Sequence, residues 1–173
     1  RILLTGASGF LGAPLLQKLI LEDHQVLALS RSVRTEKKEN ISWHQCDLSF
    51  QDSYSKEVED FLPEVLIHLA WQDIPDFSLE KSKANLVQSL NLISFIANLN
   101  SCKKIIVSGS CLEFKQPKGE CIESTVAGVN DHFSWAKNSL YMWLSMMSKK
   151  KNFQLIWMRI FYAYGPGQRL ESL

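Results

Sequence analysis

The sequence lacks most of what would take it away from an ordinary folded domain. It has no apolar run approaching the ~20 residues that span a bilayer, and no basic-then-apolar leader ending in small residues. The expected location is therefore cytoplasmic, with no membrane partner. An excess of either charge is also missing: nineteen Lys and Arg stand against eighteen Asp and Glu, a formal net charge of +1. No broad field suits a polyanionic nucleic acid, and none is expected as a partner. The cysteines are few and unpatterned. Cys46, Cys102, Cys111 and Cys121 form no Cys-x-x-Cys pair and have no His at ligand spacing, so neither a metal site nor a disulfide framework is signalled. Free thiols are expected. Internal repeats and low-complexity segments are absent.

What remains is 173 residues, 46% hydrophobic and 21% charged, the length of one domain and the composition of a globular one. The chain opens on Arg1, not Met, and enters an apolar run at once, which implies that a residue or two of the natural start lies outside it. Short β-rich runs near 1–5, 25–30, 41–46, 64–70, 103–108 and 153–161 alternate with helical patterns that fill the gaps. Leu11, Leu15 and Leu19 recur every fourth residue, as do Ala136, Leu140 and Leu144, and Leu86, Leu90, Ile93 and Ala97 follow helical spacing. Such alternation predicts an α/β fold, a doubly wound parallel sheet with helices on both faces. Pro14 sits near enough to the first helix start to be tolerated. The one long loop is expected over 111–130.

Directly after the first strand comes Thr5-Gly6-Ala7-Ser8-Gly9-Phe10-Leu11-Gly12, opening the first helix. In this G-x-x-G-x-x-G pattern Gly6 would permit the tight turn, Gly9 would let a pyrophosphate approach the backbone, and Gly12 would let the helix pack on the strand. A helix N-terminus then meets the phosphates. A close strand-to-helix turn without ligand is the plain alternative, but the place of this turn in an alternating chain favours a dinucleotide.

With these motifs the sequence resembles the extended short-chain dehydrogenases/reductases, the NAD-dependent epimerase/dehydratase family, over almost its whole length. The resemblance implies a Rossmann-type NAD(P)-binding domain over 1–173. It also implies that Asp47 and Leu48, after the third strand, lie at the adenine. His68-Leu69-Ala70-Trp71 resembles the stretch after the fourth strand, where Leu69, Ala70 and Trp71 would line the cofactor. Asn85 matches an asparagine of the next helix, and Arg159 to Pro166 resembles an R-x-x-N-V-Y-G-P segment with Ala163 as a variant. Each has a plainer alternative: Asp47 a helix cap, His68 a satisfied core histidine, Asn85 a polar residue on a solvated face.

NAD-selective members end the second strand in a carboxylate that binds the ribose hydroxyls. Here the strand ends in Ser30-Arg31-Ser32, with Arg34 following. A guanidinium pairs with a 2′-phosphate and Ser30 supplies a hydroxyl, so NADP is expected over NAD. The alternative is that Arg31 and Arg34 merely begin the charged loop through Glu36, Lys37, Lys38 and Glu39.

The family's hydride chemistry uses a tyrosine as acid–base and a lysine one helical turn on that lowers the tyrosine pKa and holds the nicotinamide ribose. A Ser or Thr from the fifth strand orients the substrate oxygen. Ser108-Gly109-Ser110-Cys111-Leu112-Glu113-Phe114 resembles the S-S-S-x-x-V-Y segment, which puts Ser110 at the catalytic serine and Ser108 at the cofactor. Lys137 fits the lysine. Phe133 stands where the tyrosine belongs, and phenylalanine has no proton to give. Three explanations stay open: an engineered Tyr→Phe change, another acid such as His132, Tyr141 or a water, or an inactive relative.

The resemblance further implies a C-terminal substrate domain, absent or truncated here, and a nucleotide-activated sugar undergoing epimerisation, dehydration or keto-sugar reduction. A non-catalytic NADP-binding sensor or scaffold is the alternative function, and a plain structural α/β domain with a vestigial turn the third. A homodimer through the helices at 78–98 and 131–150, with Trp135, Trp143, Met146 and Met147 at its surface, is also expected. The alternative for those side chains is core packing.

Overall fold

In the structure, a computed structural model, residues 1–35, 39–114, 119–125 and 127–168 are described. The chain forms β1 (Ile2–Thr5), α1 (Gly12–Leu21), β2 (Val26–Ser30), β3 (Ile41–Gln45), α2 (Ser55–Phe61) and β4 (Val65–His68). It continues through α3 (Leu79–Asn98), β5 (Lys104–Ser110), α4 (His132–Lys151) and β6 (Gln154–Ile160). Parts of the expected 111–130 loop, the charged stretch Glu36–Lys38 and Arg169 lie outside the described residues.

All six strands are parallel, in the order β3-β2-β1-β4-β5-β6. The chain winds outward from β1 in one direction and then from β4 in the other. The crevice between the carboxyl ends of these two central strands is the topological switch point where ligands bind in such sheets. The fold is the expected doubly wound one, a Rossmann-like sheet with helices on both faces.

Alternation along each strand divides the core into two layers. Leu3, Leu27, Leu66, Ile105 and Val107 face α2, α3 and α4, where Val58, Leu92, Ile93, Ile96, Leu140 and Leu144 meet them. Ile2, Leu4, Val26, Ala28 and Ile67 face α1, where Leu16 and Leu19 close the opposite layer. Each such leucine or isoleucine contributes about 1.5–3 kcal/mol by leaving water, which makes the central strands a rigid floor for what sits at their carboxyl ends.

Two local differences from the sequence reading have physical reasons. Among the described residues no helix joins β2 to β3, because residues 31–40 are too few for a helix with turns at both ends. And β5 runs on to Ser110, two residues beyond the expected 103–108, because its register with β6 holds through Ser110 and Ile160.

Caps fix where the long helices begin. The Asp131 carboxylate accepts the Ser134 N–H at 2.7 Å, and the Ser134 hydroxyl accepts the Asp131 N–H at 3.1 Å. This reciprocal box, whose loss costs about 1 kcal/mol, starts α4 so that Phe133 and Lys137 lie one above the other on its buried face. Asn152, left-handed at φ 55°, ends the helix. On the outer side Trp135 and Met146 are exposed, but Trp143 and Met147 pack against the core. The expectation that all four form one surface is corrected to that extent: α4 turns Trp143 and Met147 toward its neighbours.

Candidate functional site

At the switch point the chain leaves β1 through Thr5 and turns at Gly6, whose φ of +74° is a conformation side chains rarely adopt. A Cβ there would stand 2.8 Å from the Ala70 nitrogen and the Leu69 carbonyl carbon, so the turn lies against the end of β4. A Cβ at Gly12 would collide with the Gly6 carbonyl. Its partner is thus the turn itself, where the strand was expected. A Cβ at Gly9 would meet the Gly6 carbonyl oxygen at 3.2 Å and otherwise face open space.

That space is a cleft of about 560 Å³. Its walls include Thr5, Gly6, Ser8, Gly9, Phe10, Leu11 and Gly12 from the turn, Ser30 and Arg31 from the end of β2, and Leu48, Leu69, Ala70 and Trp71 from the ends of β3 and β4. Leu29, Cys46, Gln72, Asp73, Ile74 and Gly167 complete it, none of them singled out from sequence. Several flank residues that were, and proximity to those motifs is the signal that could have found them. The cradle formed by the Gly6–Gly12 turn, into which a side chain at Gly9 would project, at the opening N–H groups of α1, fits the diphosphate of a dinucleotide.

At the β2 end the Ser30 hydroxyl accepts the Ser32 N–H at 3.2 Å, and the Arg31 guanidinium donates to the Gln72 side chain at 3.4 Å. No carboxylate follows Ser30 in sequence before Glu36. Arg34 stacks over Trp43 at 5.7 Å, beside this pocket end rather than in it. Asp47 is exposed, and its carboxylate accepts the Ser49 N–H at 2.8 Å, which holds it below the usual carboxylate range. It stabilises its own turn between Cys46 and Leu48 and is not itself part of the cleft wall. Burial pushes the Cys46 thiol up to about 11, so it is an apolar wall element.

Under the cleft lie two buried polar residues. His68 bonds Thr5 Oγ1 at 2.8 Å and Ser89 Oγ at 2.9 Å, and burial, aided by the Lys137 charge, pushes it down to about 3. It is a neutral, satisfied core histidine tying β4 to β1 and α3. Asn85 is buried rather than on a solvated face: it accepts the Gln72 N–H at 2.6 Å and donates to the Gln72 carbonyl at 3.2 Å. It thereby pins the strand of chain that carries Trp71 and Gln72.

Beside the cleft is a second cluster. Lys137 is buried; its Nζ donates to the Ser108 carbonyl at 2.7 Å and stands 3.8 Å from the Trp71 ring centre. Burial pushes it down to about 7, against the opposing pull of the Glu113 charge. The Phe133 ring packs edge-on to Trp71 at 5.5 Å and against Phe77 at 4.6 Å. Ser108 is buried, with its hydroxyl 3.4 Å from the His68 carbonyl. Ser110 closes β5 and its hydroxyl accepts the Leu112 N–H at 3.2 Å. Trp71 is the residue shared by the two clusters: it walls the cleft and covers Lys137, whereas Lys137, Phe133, Ser108, Ser110 and Asn85 do not line the cleft. Of the two other candidate proton donors, Tyr141 packs on Trp157 at 5.3 Å and His132 lines a separate shallow hollow with Leu79 and Trp135.

Glu113 had no role in the sequence reading, and the structure buries it completely. It accepts from the Ser110 N–H, the Trp157 indole and Arg159. The pattern Ser110-x-x-Glu113, a capping box, is the signal that could have found it.

Sheet order, switch-point cleft and glycine cradle define a dinucleotide-binding class of domain. The sequence profile of the NAD dependent epimerase/dehydratase family matches residues 2–172, and the chain belongs to that family. It is 26% identical over 186 residues to Protein CapI of Staphylococcus aureus, covering 98% of this chain and 56% of that protein. The fold resembles UDP-glucose 4-epimerase of Thermus thermophilus, solved with NAD, at TM-score 0.85 and 21% identity over 98% of this chain and 57% of that one. It also resembles UDP-N-acetylglucosamine 4-epimerase of Methanobrevibacter ruminantium, solved with UDP-N-acetylmuramic acid, at TM-score 0.83 and 24% identity, with the same coverage of 98% and 57%. The chain thus spans a little over half the length of these relatives. Among the described residues no helix is long and apolar enough to cross a membrane.

Proposed function

We propose that this chain is the cofactor-binding part of a nucleotide-sugar epimerase, dehydratase or keto-sugar reductase that uses NADP. The observation that carries the proposal is the cleft itself, a glycine cradle at the sheet's switch point with Arg31 and Ser30 at the ribose end. Thr5, Gly6, Ser8, Gly9, Phe10, Leu11 and Gly12 would hold the diphosphate, and Leu48, Leu69, Ala70 and Trp71 the rings. NADP, when bound, supplies or takes up a hydride. Arg31 would pair with the 2′-phosphate, a preference for NADP over NAD that rests on the guanidinium and the missing carboxylate after β2.

The substrate contacts come chiefly from residues outside this chain, a proposal supported by its covering a little over half of its relatives' length. UDP-sugars bound or acted on by structurally similar proteins make a nucleotide-activated sugar the favoured substrate class. Ser110 would orient its oxygen, Lys137 would hold the ribose, and Phe133 occupies the position from which a tyrosine would move the proton. Burial of the Phe133 ring between Trp71 and Phe77, with no hydroxyl on that ring, favours a second reading in which the chain binds NADP without turnover. Four free cysteines fit a reducing, cytoplasmic setting. The exposed Trp135, Met142 and Met146 on α4 fit a homodimer, which a monomeric sedimentation coefficient would remove.

The deciding experiment is a parallel titration with NADPH and NADH, followed by tryptophan quench, in the wild type and in Arg31→Ala. Tighter NADPH binding that falls toward the NADH value in the variant supports the cofactor assignment. An NADH preference, or no effect of Arg31→Ala, overturns it.

A further inference from the structure

A single buried carboxylate joins the last residue of β5 to β6. Glu113 Oε1 accepts the Ser110 N–H at 2.6 Å, and Oε2 accepts the Trp157 indole at 2.8 Å and the Arg159 Nε at 3.3 Å. Arg159 is itself clamped, lying 5.0 Å from the Phe114 ring centre and 5.5 Å from that of Tyr141. It also donates to the Glu123 carbonyl at 3.2 Å. A Cβ at position 109 would collide with the Trp157 indole nitrogen and stand 2.6 Å from Glu113 Oε1. The network therefore fills the space beside Gly109, and glycine between Ser108 and Ser110 is what admits it.

We propose that Glu113 is a positioning residue of the candidate site, fixing the Ser110 hydroxyl through the Ser110 backbone. The inference rests on the reading of Ser110 and Lys137 given above. With its N–H held by Glu113, Ser110 accepts the Leu112 N–H at its hydroxyl oxygen. One hydroxyl has one proton to give, and with its oxygen held by the Leu112 N–H that proton is shared between the neighbouring Cys111 thiol and an incoming oxygen. Without the carboxylate the Ser110 N–H, the Trp157 indole and the Arg159 guanidinium would lose a shared acceptor, and the end of β5 would keep its backbone pairing with β6 but lose the side-chain tie.

The same carboxylate reaches the second site residue through its charge. Burial pushes Lys137 down to about 7, and the Glu113 charge pulls it up. The other groups around Lys137 are His68 on β4, neutral because burial holds it down to about 3, the uncharged Trp71 and Phe133 rings, and the Ser108 carbonyl. Arg159 lies against Glu113 on β6. Among the described residues Glu113 is thus the anion whose charge favours the ammonium.

The test uses the full chain, isotopically labelled, as wild type, Glu113→Gln, and Glu113→Gln combined with Arg159→Gln, which removes the guanidinium left without its carboxylate. Three quantities are read: the Ser110 amide and Trp157 indole proton shifts, the Lys137 titration midpoint, and the melting temperature. In Glu113→Gln the Ser110 amide loses its downfield position and the Lys137 midpoint moves to lower pH. In the double variant the melting temperature recovers while the Ser110 and Lys137 signals stay displaced, which a purely structural role would not produce. Unchanged Ser110 and Lys137 signals in Glu113→Gln overturn the proposal. So does their recovery together with the melting temperature in the double variant. NADPH titration of the wild type alongside reads the cofactor assignment separately: its failure to bind overturns that assignment, while the Ser110 and Lys137 resonances decide the role of Glu113.

Discussion

The Lys137 ammonium lies against the face of Trp71, 3.8 Å from the ring centre, and donates to the Ser108 carbonyl at 2.7 Å. Trp71 packs on Phe133 and also walls the cleft, so one indole stands between the buried lysine and the space where a dinucleotide fits.

Trp71→Ala therefore exposes Lys137 to water. A cation–π contact of ~0.5–2 kcal/mol favours the charged amine, but the burial that lowers Lys137 from 10.5 to about 7 is the larger effect and acts the other way. The Lys137 midpoint, followed by its side-chain carbon resonance, should rise from about 7 toward 10.5. A fall would show that the ring supports the ammonium more than it desolvates it.

The same burial makes stability depend on pH. Folded Lys137 gives up its proton near 7 and the unfolded chain keeps it to 10.5, so between these values the unfolded state holds more protons. Stability from this group therefore rises with pH across that window, by up to about 1.4 kcal/mol per pH unit. His68 acts likewise between about 3 and 6.5, where only the unfolded chain is protonated, so its share is lost as pH falls through that range. Denaturant midpoints of wild type and Lys137→Met should diverge in the upper window. Parallel pH curves there would contradict the depressed lysine.

Gly12→Ala drives a methyl group into the Gly6 carbonyl at the start of α1. Overpacking of this kind costs about 1–3 kcal/mol, and the urea midpoint should fall accordingly. An unchanged midpoint would mean that α1 can shift away from the turn.

Phe133→Tyr supplies the hydroxyl missing from the position one helical turn before Lys137. General acid–base catalysis contributes ~10²–10⁴ in rate, so under the proposed function hydride transfer with a panel of nucleotide-activated sugars should rise by that order. No gain on any of them favours the non-catalytic reading.

The glycine turn was legible because each glycine answers a backbone demand visible in the pattern, and short continuous apolar runs marked the central strands because both sheet faces are covered. Asp47 and Asn85 were harder. Their order along the chain located them, but whether a polar side chain reaches a ligand or its own backbone depends on a few ångströms that spacing does not specify. Asp47 turned to Ser49, and Asn85 to Gln72. Glu113 went unnoticed for a related reason: its partners Trp157 and Arg159 lie more than forty residues away and meet it only because β6 pairs with β5.

The most direct measurement is calorimetric titration of NADPH into the wild type and into Gly9→Val. Gly9 faces the cleft with only the Gly6 carbonyl nearby, so its side chain would fill the diphosphate position with little disturbance elsewhere. One binding site in the wild type and none in a variant of similar melting temperature is the predicted result. Equal binding by both proteins, or none by the wild type, would contradict the assignment of this cleft to a dinucleotide.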